Sequence, residues 1–347
     1  PFAGLLTVAA PATAVGMTAG TTVAGTMASA VAASTTVVTA AAATTGVVTA
    51  VARATETATD LRTLAGQGPA RPGPAASAVK LCCMAEVTFP PPFTGPDGVA
   101  DQLRQAGYAV LSPGDVAAWS GCPLQDLQAL VADWAHLPPD DFLKDGGRYR
   151  RRRHACFEVT HGRVEQVPHR AHWQPLEYNA LHGGMERWFA PMTAETVARP
   201  VWTQLLAALA AVSDAVFAAA DAPVRWFVEA HQFRIDTTDG IGRPTPEGAH
   251  RDGVDLVAVF LVAREGVKGG ETRVFEAAGP AGQRFTLSAP WSLLLLDDAR
   301  MIHETTPIQP LVAGGYRDTL VVTCRRESFQ GADVAAQRGT DRAGNTP

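Results

Sequence analysis

The chain has 347 residues, and 29 lysine and arginine residues against 34 aspartate and glutamate residues give a formal net charge of −5. A slightly acidic chain of this length is long enough for one large domain or two ordinary ones, and it gives no reason to expect nucleic acid or an anionic membrane as a partner. Its five cysteines include no Cys-x-x-Cys pair, so the sequence predicts neither a zinc ribbon nor a disulfide framework and favours the reducing cytoplasm.

The first 83 residues differ in composition from the rest. No charged residue occurs before Arg53, and alanine, threonine, valine and glycine dominate, which offers little apolar area for a packed core. The basic segment of a secretory signal is missing, and threonine and glycine interrupt every window long enough for a transmembrane helix. We expect residues 1–83 to be a disordered extension or not part of the functional protein, which then begins near Met84. The domain is expected to span residues 84–328, with a disordered tail over 329–347.

The first part of this domain is predicted to be mainly helical. A short helix is expected to begin at Asp97 and end at Gly107, because glycine suits the position after a helix, and a strand follows over 108–111. Further helices are expected over 124–136 and 201–220, the latter with the apolar spacing of a helix that packs on a sheet. Between them lies one basic cluster, Arg148 with Arg150 to Arg153, interpreted as a solvated face or a strand edge.

The second part of the domain carries strand patterns. The run 254–262 is nearly all apolar, which indicates a buried strand. The predicted strands cover 226–235, 254–262, 271–276, 285–287, 291–296 and 319–324. Many short strands after a few helices indicate a mainly β fold with supporting helices, and the pattern fits a double-stranded β-helix, or jelly roll.

A motif at the start of the buried strand has the spacing of a metal site. His250 and Asp252 are two residues apart, so in extended backbone both side chains point to the same side, and Gly253 lets the chain turn after them. His303 comes fifty-one residues after Asp252, beyond the apolar run 291–296. Two histidines and one carboxylate leave three open positions on a metal, which is the ligand set of non-haem iron(II) oxygenases. These three residues are the candidate metal ligands and catalytic residues.

An arginine at the start of the last strand makes the motif more specific. Arg317 lies fourteen residues after His303, with Thr319 on the same side of the strand. A dicarboxylate co-substrate needs a cation that keeps its proton, and arginine offers a planar fork, to which a threonine hydroxyl can add a donor. Arg234, in an apolar run, is a further candidate: it either binds a carboxylate of substrate or co-substrate, or forms a structural ion pair.

These segments resemble the bacterial 2-oxoglutarate/Fe(II)-dependent dioxygenases that include L-isoleucine 4-hydroxylase. The resemblance covers residues 102–325 and is carried by 231–235, 246–253, 269–272, 296–303 and 316–320, with earlier matches at 148–150 and 174–179. It implies a jelly-roll enzyme that uses Fe(II), 2-oxoglutarate and O2. It also implies that His250, Asp252 and His303 bind iron, that Arg317 anchors the co-substrate, and that decarboxylation to succinate is coupled to hydroxylation.

The resemblance further points to a free aliphatic L-amino acid as a small-molecule substrate, hydroxylated on its side chain. Such a substrate needs a cation for its carboxylate, an acceptor for its ammonium group and an apolar wall. Candidates for the cation are Arg148, Arg150 and Arg234, and candidates for the wall are Phe157, Trp173 and Phe233.

Other functions stay open on the sequence alone. A cupin-like metal-binding protein without oxygenase activity would usually add a glutamate ligand after closely spaced histidines, a pattern absent around His250. A protein or peptide hydroxylase is not distinguished from a small-molecule hydroxylase, whereas a related halogenase is disfavoured because Asp252 fills the position of the halide. His231 is interpreted as a hydrogen-bonded structural residue, and the spacings of five other histidines match no zinc template: His154, His161, His169, His172 and His182.

Overall fold

The structure, a computed structural model, describes residues 88–218 and 224–332. The expectations for residues 1–83 and for 333–347 lie outside these ranges. The described helices are α1 (Val99–Ala106), α2 (Pro113–Ser120), α3 (Leu124–Ala129), α4 (Ala194–Val197) and α5 (Pro200–Phe217), with short 3-10 helices at Pro96–Gly98 and Val131–Trp134.

The described strands form one large and two small antiparallel sheets. The strands are β1 (Tyr108–Leu111), β2 (Arg150–Thr160), β3 (Arg163–Gln166), β4 (Arg225–Asp236), β5 (Leu256–Glu265), β6 (Val267–Gly269), β7 (Thr272–Glu276), β8 (Gly282–Phe285), β9 (Leu293–Asp297), β10 (Met301–Thr305), β11 (Ile308–Pro310) and β12 (Tyr316–Arg325). The seven-stranded sheet has the order β1-β9-β5-β12-β4-β2-β3, and the others are β10-β7-β8 and β11-β6. This is the predicted jelly roll with supporting helices.

The large sheet has two different faces because side chains alternate along each strand. On one face, apolar residues such as Leu320 of β12 and Phe260 of β5 form the main core, together with α5 residues such as Leu205. On the other face, Val257 and Leu294 pack against Val274 and Met301 of the three-stranded sheet. The second apolar layer therefore joins the two sheets at one end and leaves polar residues facing each other at the other end.

The three predicted helices are present with shifted ends, and one of them is broken. α5 ends at Phe217, before the expected end at residue 220. α1 ends at Gly107, which has a left-handed φ of 77° and donates its N–H to the Leu103 carbonyl at 2.9 Å. The helix expected over 124–136 is instead broken at Leu130 into α3 and a 3-10 helix. The tighter 3-10 turn accompanies the burial of Trp134, whose indole N–H donates to the Thr319 carbonyl of β12 at 3.1 Å.

By length and mean hydropathy, α5 is the one helix in the described ranges that could span a membrane. Its buried residues include Trp202, Leu205 and Leu209, and all three belong to the main core. The same length and composition are common in core helices of globular domains, and α5 packs as such a helix.

The packed structure runs past the boundary expected at residue 328. Phe329 and Gln330 are buried, and the Phe329 ring lies 5.0 Å from the Phe227 ring of β4. The Gln330 amide donates to the carbonyls of Asp252 and Gly253 at 2.8 and 2.9 Å. These two residues pack on the domain and do not belong to a disordered tail.

Candidate active site

Pairing between two segments brings His250 and His303 together. His250 lies in the loop between β4 and β5, and its N–H donates to the His303 carbonyl of β10 at 3.0 Å, while the His303 N–H donates back at 2.9 Å. The two imidazole rings then lie 4.6 Å apart between centroids. Asp252 reaches both rings, with Oδ1 at 3.7 Å from His250 Nε2 and Oδ2 at 3.9 Å from His303 Nε2. The predicted triad is thus assembled in space.

The donor atoms of this triad suit a divalent cation. His250 Nδ1 lies 2.9 Å from the Gly248 carbonyl, so this nitrogen carries a hydrogen and Nε2 is the atom that faces the carboxylates of Glu247 and Asp252, at 3.5 and 3.7 Å. Burial lowers the pKa of His303 well below its usual range, which keeps that ring neutral. Burial acts in the same direction on His250, but the carboxylates of Asp252 and Glu247 outweigh it and raise the pKa of this ring. Two lone pairs and a carboxylate, all within 4.8 Å, favour positive charge between them.

A buried carboxylate holds the loop that carries Asp252. Asp298, at the turn after β9, accepts the backbone N–H groups of Asp252, Gly253 and Val254 at 3.0, 2.7 and 3.1 Å. These three donors fix the backbone on both sides of the Asp252 side chain. Asp298 therefore supports the loop that carries Asp252.

A chain of amide and guanidinium groups reaches Asp252 from the other side. Gln174 Nε2 donates to Asp252 Oδ1 at 3.1 Å. The Gln174 carbonyl oxygen accepts from Asn179 Nδ2 at 3.0 Å and from Arg187 Nη2 at 2.8 Å. This orients the amide so that its N–H faces the carboxylate. Gln174 and Asn179 lie in a segment that carried the family resemblance, whereas Arg187 was missed.

Three strands form one wall of the cavity that the triad also lines. The registers of β2, β4 and β12 align the residues of one sheet face in rows, and neighbouring strands lie about 4.8 Å apart. The rows are Arg150–Ile235–Arg317, Arg152–Phe233–Thr319, His154–His231–Val321 and Cys156–Glu229–Thr323. The basic cluster is therefore not a solvated face, because Arg150 and Arg152 are buried and line the cavity.

Arg317 and Thr319 lie where the sequence predicted them, in the same cavity as the triad. The Arg317 side chain is 2% exposed, and its Nε and Nη2 atoms are buried without a hydrogen-bond partner. Burial, reinforced by Arg264, lowers the pKa of Arg317 to about 10, so the group remains charged at neutral pH. It forms no ion pair with another residue of the described ranges. A buried cation with free donors is suited to an anionic ligand.

Other predicted residues lie outside this cavity. Arg234 forms a bidentate ion pair with Asp318 at 2.8 and 2.7 Å and lies over the Tyr316 ring. Of the two roles considered for Arg234, the structure shows the structural ion pair. Arg148 is exposed and pairs with Asp239, and Phe157 belongs to the main core. Neither these residues nor Trp173 line the cavity, whereas Arg150 and Phe233 do.

A second cluster of histidines lies beside this cavity, and its members His172 and His231 line it. His154, His172 and His231 surround Glu229, and one ligand atom from each of the four lies within 4.8 Å of the others. Glu229 Oε2 accepts from His154 Nε2 at 3.0 Å and from His172 Nδ1 at 2.7 Å. Sequence spacing could not reveal this cluster, because its members come from β2, β4 and the loop before α4.

Comparison with known proteins agrees with the geometry. The family described as 2OG-Fe dioxygenase matches residues 131–323, more than half of the chain. No curated protein matches the chain. Among solved structures, a bsmA homolog from Methylobium petroleophilum PM1 is 51% identical, with a TM-score of 0.65, over 70% of this chain and 98% of the homolog.

Two more distant structures share the fold. IDO from Bacillus thuringiensis is 16% identical with a TM-score of 0.55, over 70% of this chain and all of the other. The Fe(II)/α-ketoglutarate-dependent dioxygenase TqaL is 18% identical with a TM-score of 0.52, over 68% of this chain and 88% of TqaL. The chain therefore belongs to the 2OG-Fe dioxygenase family and is a 2-oxoglutarate-dependent dioxygenase, an enzyme that requires Fe(II), 2-oxoglutarate and O2.

Proposed function

We propose that His250, Asp252 and His303 hold the Fe(II) of this dioxygenase. The observation that carries the proposal is their convergence in one cavity, with both Nε2 atoms within 4 Å of the Asp252 carboxylate. The set is two imidazoles and one carboxylate, the facial arrangement that non-haem Fe(II) oxygenases use. Asp298 and Gln174 then act as positioning residues, since each contacts Asp252 or its loop.

We also propose that Arg317 and Thr319 bind the distal carboxylate of 2-oxoglutarate. Arg317 offers two unpartnered N–H groups, and Thr319 lies two residues along the same face of β12. Burial excludes water that would compete for these donors, so each charge-assisted hydrogen bond is stronger than at the surface. The other end of the co-substrate then faces the triad.

The substrate that we propose is a free aliphatic L-amino acid, hydroxylated on its side chain. The cavity combines apolar surface from Phe233, Val254 and Val259 with buried groups of both charges. Such a mixture fits a small zwitterion with an aliphatic side chain better than an uncharged molecule. The family resemblance supports the same class.

In this proposal each group of the protein has a separate task. The iron would supply the redox chemistry by which one oxygen atom of O2 enters succinate as 2-oxoglutarate loses CO2, and the other enters the substrate. Arg317 and Thr319 orient the co-substrate. Asp298 and Gln174 keep Asp252 in place, and the apolar residues exclude water and align one side-chain carbon.

Metal binding and turnover test the iron site. The wild type is expected to bind one Fe(II) per chain under anaerobic conditions, and Asp252→Ala and His303→Ala to lose both the metal and succinate formation. Asp126→Ala and His136→Ala, at exposed positions, are matched controls that should retain both. Full activity of Asp252→Ala would show that the ligands lie elsewhere.

A panel of the twenty amino acids tests the substrate. With Fe(II), 2-oxoglutarate and O2 present, isoleucine, leucine and methionine are expected to raise succinate formation most and to give a product heavier by one oxygen. If no amino acid raises succinate formation above the uncoupled background while a peptide does, the enzyme is a peptide hydroxylase. The proposed substrate class then fails, and the proposed iron site is unaffected.

A further inference from the structure

The second histidine cluster is built to keep Glu229 ionised. Both hydrogen bonds of Glu229 fall on Oε2, from His154 Nε2 and His172 Nδ1, and the residue lines the cavity. Burial lowers the pKa of His172 to about 4, so this imidazole is a neutral donor at pH 7. The carboxylate charge is therefore solvated by N–H groups and is not cancelled by a nearby salt bridge.

The ring tautomers argue against a metal ion in this cluster. Arg152 Nη2 lies 2.7 Å from His231 Nδ1, and a guanidinium group only donates, so Nδ1 accepts and Nε2 carries the hydrogen. Arg152 is held in that position between the Phe189 and Phe233 rings, at 3.6 and 4.3 Å from their centroids. With His154 and His172 donating to Glu229, none of the three rings directs a lone pair at the centre of the cluster.

Arg187 is the complementary feature of the same cavity. Its side chain is 2% exposed and lines the cavity, and it forms no ion pair within the described part of the chain. Nη2 donates to Gln174, while Nε is buried without a partner. Burial, together with the charge of Arg150, lowers the pKa of Arg187 to about 10, so this guanidinium also stays charged.

A buried cation and a buried anion thus line one cavity without being paired to each other. Each loses solvation on burial, and a ligand that carries both opposite charges would compensate both at once. We propose that Arg187 binds the α-carboxylate and Glu229 the α-ammonium group of a free amino acid, an assignment that rests on the substrate class proposed above. Arg187 also contacts Gln174, which donates to Asp252, so the substrate lies beside the metal triad.

Ligands with one charge removed test this assignment. The anaerobic full-length enzyme, loaded with Fe(II) and 2-oxoglutarate, is titrated with L-isoleucine, L-isoleucinamide and 3-methylpentanoate by calorimetry. The wild type is expected to bind isoleucine about tenfold or more tightly than either analogue, since charge-assisted hydrogen bonds are lost. Arg187→Gln should abolish the preference over the amide only, and Glu229→Gln the preference over 3-methylpentanoate only.

This crossed pattern separates recognition from structural damage, because a distorted cavity would weaken all three ligands alike. Arg151→Gln and Glu158→Gln, both on β2 and outside the cavity, should leave both preferences unchanged. Arg187→Lys, which keeps the charge, should retain part of the preference over the amide even if Arg187→Gln does not fold.

Three results would overturn the proposal. Binding of isoleucine with both preferences intact in both variants would refute it and leave the proposed function standing. If a titration with zinc shows a metal ion bound in addition to the Fe(II) of the triad, and Glu229→Gln loses it, the histidine cluster is a metal site. If no amino acid binds or raises succinate, the proposed substrate class fails together with this assignment.

Discussion

At the scale of single residues, Arg317 gives the most direct prediction about co-substrate binding. Its Nε and Nη2 atoms have no hydrogen-bond partner among the described residues, so replacement by lysine keeps the charge but removes the two-pronged donor. We expect Arg317→Lys to raise the apparent Kd of 2-oxoglutarate by about tenfold or more, since each lost charge-assisted bond contributes about 1.5–3 kcal/mol. Titration of the anaerobic Fe(II) enzyme measures this change.

Arg234→Lys is the matched control for this experiment. Arg234 lies on the neighbouring strand β4, but its guanidinium is bound to Asp318 and does not line the cavity. The 2-oxoglutarate titration of Arg234→Lys should equal that of the wild type. An unchanged titration in Arg317→Lys would instead show that another cation anchors the co-substrate.

A second residue-scale prediction concerns Asp298. Its carboxylate accepts three backbone N–H groups from the loop that carries Asp252, and an asparagine replaces one acceptor oxygen by a donor. We expect Asp298→Asn to weaken metal binding about 10- to 100-fold, as loss of an outer partner of a metal ligand typically does. Anaerobic titration with Fe(II) measures it. Asp297→Asn, whose side chain faces the turn at Arg300, should change metal affinity little.

Sequence reasoning at this scale found the residues whose partners are close in sequence or fixed by a motif. His250 and Asp252 share one loop, and Arg317 and Thr319 share one strand face, so spacing alone placed each pair. Glu229 and Arg187 were missed because their meaning depends on contacts across strands and loops. Arg234 shows the converse: an arginine in an apolar run suggested a ligand site, but its partner Asp318 lies opposite it on β12.

At the scale of elements, the loop from β4 to β5 depends on Gly253. This glycine has a φ of 77°, and a Cβ atom there would lie 2.5 Å from the Tyr178 ring and 2.8 Å from Gln330 Nε2. We expect Gly253→Ala to displace Asp252 and to weaken Fe(II) binding in anaerobic titration. Gly248→Ala is the control, because Gly248 has a φ of 84° but open space around its Cα.

The two glycine variants share the backbone cost of a left-handed alanine, about 1–2 kcal/mol. Any additional loss of stability or metal affinity in Gly253→Ala therefore measures the clash with Tyr178 and Gln330. Equal effects in the two variants would mean that the loop relaxes around the added methyl group and that packing there does not position Asp252.

Strand β2 explains why part of the sheet could not be predicted. A buried strand is expected to be apolar, but β2 begins with four arginines and alternates Arg150 and Arg152 toward the cavity. Its other face carries Ala155, Phe157 and Val159 of the main core. The arginine run hid the alternation, whereas β5 and β9 were predicted because apolar residues dominate both of their faces.

At the scale of the whole molecule, the main core and the candidate active site lie on opposite faces of the large sheet. The helical face is apolar and well packed, while the cavity face buries arginines, histidines and acids whose hydrogen bonds are incomplete. Such groups cost free energy unless a ligand or metal satisfies them. The apolar pattern of the sequence predicted the strands and helices that form the apolar face. It did not predict that the cavity face buries polar groups at a cost in free energy.

The whole-molecule prediction concerns the ends of the chain. The match covers 98% of the bsmA homolog but only 70% of this chain. The homolog therefore has no counterpart to the remaining residues of this chain. We expect deletion of residues 1–83, or of 333–347, to leave the melting temperature within about 2 °C of the wild type and succinate formation unchanged. Calorimetry and a succinate assay provide the measurements.

Deletion of residues 329–347 is the informative contrast, since it removes only four residues more than deletion of 333–347. Those four include Phe329, which packs on Phe227, and Gln330, which donates to the carbonyls of Asp252 and Gly253. Loss of these contacts should lower the melting temperature by several degrees, because about 1 kcal/mol corresponds to 2–4 °C for a domain of this size. It should also weaken Fe(II) binding, because Gln330 holds the backbone of the Asp252 loop. A large fall in melting temperature on removing residues 1–83 would show that this segment supports the domain. Equal melting temperatures and equal Fe(II) affinities of the two C-terminal deletions would show that Phe329 and Gln330 contribute to neither property.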